Sequence, residues 1–313
     1  MSKIDKAGYI CQLDTDLLAP IQRVRTKYTK DICCLCPVNE NLFLTGSNSG
    51  RVAFYDIRKK LDKPLFYDVE SHTDHISDIS VEGVRGGRYA HCTSGDGTMS
   101  TFNLRKNKLL IVSDAELKCD YTSVCSLDSA KKVVVGTLEG EILLYNYNEY
   151  AMSADRMPGH TGEISSIVEY ISPKENHEDA NNIIITADEE GVIRAVNISP
   201  NRYLGVIGQA ANDDSILRLN LIGDDKTNQN ELISLSDSGH IQFYNLDFLD
   251  KLDEIKSTDK VAGKLKGSAS IMHSQRNAFI NKLEKDEIKM PENVSDSESD
   301  SWQDVQEDSS DSD

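Results

Sequence analysis

The chain has 313 residues, with 34 Lys and Arg against 52 Asp and Glu and a formal net charge of −18 at pH 7. Nine of those acids and none of the bases lie in 291–313, so the first 290 residues carry 43 acids against 34 bases, a charge of only −9. This mild acidity excludes nucleic-acid binding by bulk charge while leaving room for a local basic patch. The length admits two average domains, or one large repeat domain with a tail.

From the N-terminus, MSKIDKAGYICQLD holds neither the apolar stretch nor the cleavage site of a secretory leader. No apolar run approaches the ~18 residues that span a bilayer, so no membrane partner is expected. The seven cysteines, Cys11, Cys33, Cys34, Cys36, Cys92, Cys119 and Cys125, are odd in number and none forms a paired C-x-x-C zinc spacing. Cys33, Cys34 and Cys36 fall in an apolar run that reads as a buried strand, where free Cys is a small hydrophobe. A reduced intracellular compartment follows.

Five segments along the chain repeat one pattern: FLTGSNSGRVAFYDI from Phe43, AHCTSGDGTMSTFNL from Ala90, VVVGTLEGEILLYNY from Val133, IITADEEGVIRAVNI from Ile184 and LISLSDSGHIQFYNL from Leu232. Each is an apolar run, small residues, a Gly turn, an alternating run, then an aromatic or apolar residue before Asp or Asn. The turn glycines, Gly50, Gly97, Gly140, Gly191 and Gly239, are 47, 43, 51 and 48 residues apart, close to the ~40–45 residues of a four-stranded propeller blade. A tight hairpin needs positive φ, which Gly supplies at no steric cost. The alternation after each Gly suits a strand with two unlike faces. Polar inserts at 172–182 and 224–231 lengthen two spacings and are expected in loops.

The predicted fold is therefore all-β, a WD-repeat β-propeller with five full four-stranded blades over residues 1–250. A sixth signature opens the chain at Gly8-Tyr9-Ile10-Cys11-Gln12-Leu13-Asp14, 42 residues before Gly50. It reads as the end of a sixth blade, entered at its third strand. At ~44 residues per blade, 250 residues make about 5.7 blades. Either the ring closes with fewer than seven blades, or a partner completes it, or further chain lies upstream.

The Trp-Asp pair of WD repeats is replaced by Tyr55-Asp56, Phe102-Asn103, Tyr145-Asn146, Val196-Asn197 and Tyr244-Asn245. Gly-His survives at Gly159-His160 and, as Ser-His, at Ser71-His72. In well-formed blades a His, a Ser or Thr, a turn Asp and the Trp share one buried hydrogen-bond chain. Only the blade with His72, Ser94 and Asp96 is expected to keep the polar members, with His160 a remnant of another. Apolar packing is expected to hold the rest.

Beyond the repeat grammar, SGDGTMSTFNLRKNKLLIVSDAEL from Ser94, KKVVVGTLEGEILLYNYNEYAMSADRMPG from Lys131 and GVIRAVNISPNRYLGVIGQ from Gly191 resemble blocks of the WD repeat-containing protein 55 family. SHTDHISDISVEG from Ser71 is similar more loosely. The resemblance spans roughly residues 8–252, contains no catalytic motif, and is nearest to fungal members, which carry a charged C-terminal extension. It implies a nuclear and nucleolar protein of ribosome biogenesis, acting in ribosomal RNA processing and large-subunit maturation. The implied partners are proteins of pre-ribosomal particles and pre-ribosomal RNA. The departure is at the front, where family members have about two blades and this chain has the end of one.

No motif of an enzyme is present: no P-loop, nucleophile elbow or dinucleotide fingerprint, and no paired metal-ligand histidines. No cofactor, metal or small-molecule substrate is expected. The candidate partner-binding residues are Arg58, Lys59 and Lys60, with Arg105, Lys106 and Lys108, which follow the same strand of adjacent blades and should share one rim. No aromatics are interleaved with them. Tyr55-Asp56-Ile57-Arg58 and Phe102-Asn103-Leu104-Arg105 also match loosely the W-D-x-R ending of substrate receptors of cullin-four ubiquitin ligases. There the Arg would bridge to the adaptor as a planar fork.

Residues 251–290 read as a charged linker with one helix near 274–289, on which Phe279, Ile280 and Leu283 share a face. Residues 291–313 are acidic, Ser-rich and expected to be disordered. Ser295, Ser297, Ser301 and Ser310 each have an acid three residues on, the pattern of acidophilic kinase sites, where each phosphate adds about −1.5 to −2 charges. Trp302, the single Trp, lies in this tail.

Overall fold

The computed structural model describes residues 2–246 and 249, apart from 6–8, 15–16, 18, 27–30, 84–86, 171–181, 211–213 and 225–228. The chain divides into two units, Met1–Lys264 and Leu265–Asp313. The expected helix near 274–289, Trp302, the expected phosphorylation sites and residues 172–181 of the first polar insert lie outside the described residues.

Six antiparallel sheets follow one another in chain order. The first holds β1 (Ser2–Asp5), β2 (Tyr9–Leu13) and β3 (Pro20–Arg25). The second holds β4 (Ile32–Pro37), β5 (Leu42–Ser47), β6 (Val52–Asp56) and β7 (Phe66–Asp68), and the third β8 (Ile76–Val81), β9 (Tyr89–Ser94), β10 (Met99–Asn103) and β11 (Lys108–Val112). The fourth is β12 (Tyr121–Leu127), β13 (Lys132–Thr137), β14 (Glu141–Asn146) and β15 (Asp155–Pro158). The fifth is β16 (Ser166–Tyr170), β17 (Ile183–Ala187), β18 (Val192–Ile198) and β19 (Asn201–Gln209). The sixth is β20 (Ile216–Asp224), β21 (Gln229–Ser236) and β22 (Ile241–Asn245). Strand order within every sheet is sequential, as hairpins require.

This is the expected propeller, with the strands distributed somewhat differently. Four sheets have four strands; the sixth shows three among the described residues. The chain does not enter its first sheet at the third strand: β1 precedes β2 and pairs with it from Ser2↔Gln12 to Asp5↔Tyr9. Four residues with no strong apolar pattern gave no strand signal, yet they satisfy the backbone edge of β2. At the polar insert 224–231, expected in a loop, Asp224 and 229–231 belong instead to strands, with Asp224↔Gln229 extending the β20–β21 ladder.

The hairpin glycines carry the pattern as expected, with φ between +73° and +84° at Gly50, Gly97, Gly140, Gly191 and Gly239. At Gly97 a Cβ would also meet the Cys119 carbonyl oxygen at 2.8 Å, so the turn is pressed against the next sheet.

After each hairpin glycine the period of two divides the third strand between two interfaces. Val52 and Phe54 turn toward the following sheet, where they pack with Ile76, Ile79, Ala90, Cys92 and Phe102. Ala53 and Tyr55 turn back to Ile10 and Ile32. Ile142 and Leu144 repeat the forward contact against Ile164, Ile167, Ile184 and Val196, and Tyr145 the backward one against Met99. The residues in place of Trp thus remain core residues: Tyr55, Phe102 and Tyr145 are at most 1 % exposed.

The sixth sheet breaks the series. Ile241 and Phe243 occupy the positions of Val52 and Phe54 but are 59 % and 63 % exposed, against 0 % and 3 %. Among the described residues no following sheet covers this face.

Candidate functional site

Because every sheet alternates direction, its connections fall at two ends. The loops entering β8, β12, β16 and β20 share the upper end with the glycine hairpins; the loops from first to second and from third to fourth strand share the lower end.

Two histidines organise the upper end. His72 is 4 % exposed; its Nδ1 lies 3.2 Å from Asp96 Oδ2 and its Nε2 2.7 Å from Ser100 Oγ. Asp96 also accepts from the Thr98 hydroxyl at 2.6 Å and the Thr73 amide at 2.9 Å. Burial opposes ionisation of this carboxyl, but the His72, Thr98 and Thr73 bonds hold it well below the usual carboxylate range. Ser94 is not the histidine's partner: it donates to the Asp74 carbonyl at 3.2 Å, and Ser100, one strand on, takes its place. The network is also not confined to one sheet. His160 meets Asp188 at 3.4 Å and Thr186 at 3.2 Å, and Arg194 donates to the same carboxylate. Asp188 is fully buried. It sits three residues before Gly191, where Asp96 sits one before Gly97, so a fixed turn position could not reveal it.

The axis is lined by the first strands of the sheets. Asp78 of β8 accepts from Arg218 Nη2 of β20 at 2.8 Å and from the Val124 amide of β12 at 3.4 Å. The cysteine run on β4 is not the fully buried strand expected: Cys33 is exposed, while Cys34 and Cys36 are intermediate and pack against the core around Ile76, Ile79 and Cys92. Burial, with the Asp78 charge nearby, pushes the Cys36 thiol up to about 12. Among the described residues no group of His, Cys, Asp or Glu could hold a metal ion.

The lower end carries the candidate basic residues. Arg58, Lys59 and Lys60 follow β6, and Arg105 and Lys106 follow β10 with Lys108 opening β11; all six are exposed. They stand at the same end of adjacent sheets. Arg58 closes on its own blade, with Nε and Nη2 each 2.9 Å from the Asp56 carboxylate. That hydrogen bond draws Asp56 down to about 2.

Tertiary structure adds residues that the sequence pattern did not join. The Arg88 carbonyl accepts from the Leu104 amide at 3.0 Å, which places Arg88 beside Arg105; its guanidinium lies 5.2 Å from the Tyr89 ring centroid. The Tyr89 ring packs 6.2 Å from Tyr150. Tyr150 donates to Glu82 at 2.6 Å, and His91 Nε2 lies 2.9 Å from the same oxygen. Three residues before Tyr150, Tyr147 pairs with Lys131 through its amide at 2.9 Å, and the Lys131 ammonium lies 5.8 Å from the Tyr147 ring. Lys132 donates to Asn146 at 3.1 Å. The only signal in the sequence was the placing of Arg88-Tyr89 and Lys131-Lys132 at loop-to-strand boundaries, 43 residues apart.

Six consecutive antiparallel sheets, glycine hairpins at one blade's spacing and two retained His–Asp networks define a WD-repeat β-propeller. No family model matches the chain. It is similar to WD repeat-containing protein 55 of several animals: 29 % identical to the rat protein over 298 residues, covering 93 % of this chain and 71 % of that one. Identity is 31 % to the mouse protein over 67 % of this chain and 31 % to the human protein over 66 %. The chain spans about half the length of those two relatives, 50 % and 49 %. Among solved structures, the computationally designed Ika8 protein superposes with a TM-score of 0.59 at 16 % identity, over 78 % of this chain and 67 % of that one, a likeness of fold alone.

Proposed function

We propose that this propeller belongs with the WD repeat-containing protein 55 family and is a non-enzymatic scaffold of ribosome biogenesis. It acts in the nucleus and nucleolus, at ribosomal RNA processing and large-subunit maturation. The observation that carries the reading is similarity to that family along nearly the whole chain, 93 % of it in the rat comparison. The architecture supports it: rigid sheets present loops at two ends, and the lower end gathers basic side chains from adjacent sheets, suited to acidic partners in pre-ribosomal particles. Depletion followed by pre-ribosomal RNA profiling tests the proposal. Large-subunit precursors should accumulate; an unchanged profile would remove it.

The ubiquitin-ligase reading has less support. The Arg58 guanidinium is engaged through Nε and Nη2 by Asp56 of its own blade, so presenting that edge to an adaptor would first cost that pair. Arg58→Ala with Arg105→Ala should leave adaptor recovery unchanged.

A further inference from the structure

We propose that the lower end of the third and fourth sheets is a binding track for single-stranded RNA. The track runs from Arg105 and Lys106 through Arg88-Tyr89 to Tyr147 and Lys131-Lys132. It names one ligand for the scaffold described above and rests on that reading for its cellular setting.

Three observations carry it. The track is continuous: Leu104 is bonded to Arg88, the Tyr89 ring packs against the tilted ring of Tyr150, and Tyr147 is bonded to Lys131, so two sheets present one surface. It pairs cations with rings. Arg88 lies over Tyr89 and Lys131 over Tyr147, both rings half-buried, Tyr89 opening β9 and Tyr147 directly following β14. A ring face that seats a cation also accepts a nucleobase, and base–aromatic stacking beside backbone-tracking cations is how single strands are held without sequence readout.

The rings are also held in place. Tyr147 donates to Asp128 at 2.8 Å, and Tyr89 rests on Tyr150, itself fixed by Glu82. The carboxylates beside the track have partners of their own: Glu82 bonds His91 and Tyr150, Asp128 bonds Tyr147, exposed Glu149 accepts from the Asn146 amide at 3.1 Å, and Glu169 accepts from Ser129 at 3.4 Å. A duplex would present its phosphates but no free base faces to these rings. An acidic protein would use the cations and leave the rings idle.

The test uses the purified full chain and a fluorescein-labelled 12-nucleotide single-stranded RNA of mixed A and U, read by anisotropy over a salt series. Unlabelled polyphosphate and an RNA duplex of the same length serve as competitors. The expected result is binding that weakens with salt at a slope of about −0.7 per phosphate neutralised, with single strand competing best. Tyr147→Leu should weaken binding by roughly 5- to 100-fold, the equivalent of one stacked base, at an unchanged salt slope, and Tyr147→Phe should retain it. Replacing Arg105, Lys106, Lys131 and Lys132 together by Gln should lower both affinity and slope. Replacing Arg23 and Arg25 on β3 should change neither. Thermal unfolding of each variant excludes misfolding.

The proposal is overturned if no single strand binds at low salt. It is also overturned if polyphosphate competes equally and Tyr147→Leu binds like the parent, which would make the surface a general anion patch. Either outcome leaves the scaffold reading intact, since that reading stands or falls on the pre-ribosomal RNA profile.

Discussion

Arg218 and Asp78 lie 140 positions apart in the chain and 2.8 Å apart in space, joining the first strand of the sixth sheet to that of the third across the axis. The carboxylate side chain is 6 % exposed and the guanidinium 54 %. Asp78 raises the affinity of Arg218 for its proton, with burial opposing. The pair fastens the end of the propeller to its middle, at the part of the molecule where one sheet face has no covering neighbour.

Removing one partner leaves the other charge poorly solvated. Arg218→Met should cost about 1–3 kcal/mol, less than a fully buried pair would because the guanidinium is half in water. A double-mutant cycle with Asp78→Asn, read by denaturant unfolding, should give a coupling of about 1 kcal/mol or more. Additive single effects would show that the pair does not fasten the ring.

Phe54 and Phe243 hold the same place in their repeats and should respond differently to truncation. Phe54→Ala empties a packed interface and should cost about 3–5 kcal/mol. Phe243, 63 % exposed, should tolerate Ser with a change within about 0.5 kcal/mol. Unfolding midpoints compare the two directly.

Asp96 is held below its usual pKa, so it contributes stability at pH values above about 4 and loses it as pH falls through its folded value. Asp96→Asn should therefore cost about 1–3 kcal/mol at pH 7, and the gap to the parent should shrink progressively below pH ~4. A gap independent of pH would assign the cost to shape rather than charge.

Glu169 has the opposite sign. Burial, reinforced by the Asp128 charge, raises its pKa to about 7. The folded state thus holds the proton more tightly than the unfolded chain, with its pKa of about 4.3. Stability from this group is full below pH ~4 and is lost as pH rises to about 7. Glu169→Gln should be close to neutral at pH 4.5 and more stable than the parent by about 1–2 kcal/mol at pH 8, a sign that chemical denaturation at the two pH values reads directly.

The sequence by itself determined the fold class and the place of each blade. Hairpin glycines and a period of two are local constraints, set by φ at one residue and by the alternation of side chains along one strand. They put Tyr55, Phe102 and Tyr145 in the place of the repeat's Trp, where the structure buries them, and put the two basic stretches at one end of adjacent blades. It missed what depends on distance. Asp188 serves His160 from another turn position; Ser2–Asp5 forms a strand only because β2 has an edge to satisfy; Cys33 is exposed while its neighbours Cys34 and Cys36 pack against the core. Nothing along the chain joins Arg88, Tyr89, Tyr147 and Lys131. Only the packing of the third sheet on the fourth, through Tyr89 and Tyr150, makes them one surface. Local geometry repeats and can be read from one chain, whereas contacts between sheets depend on how all the faces close together.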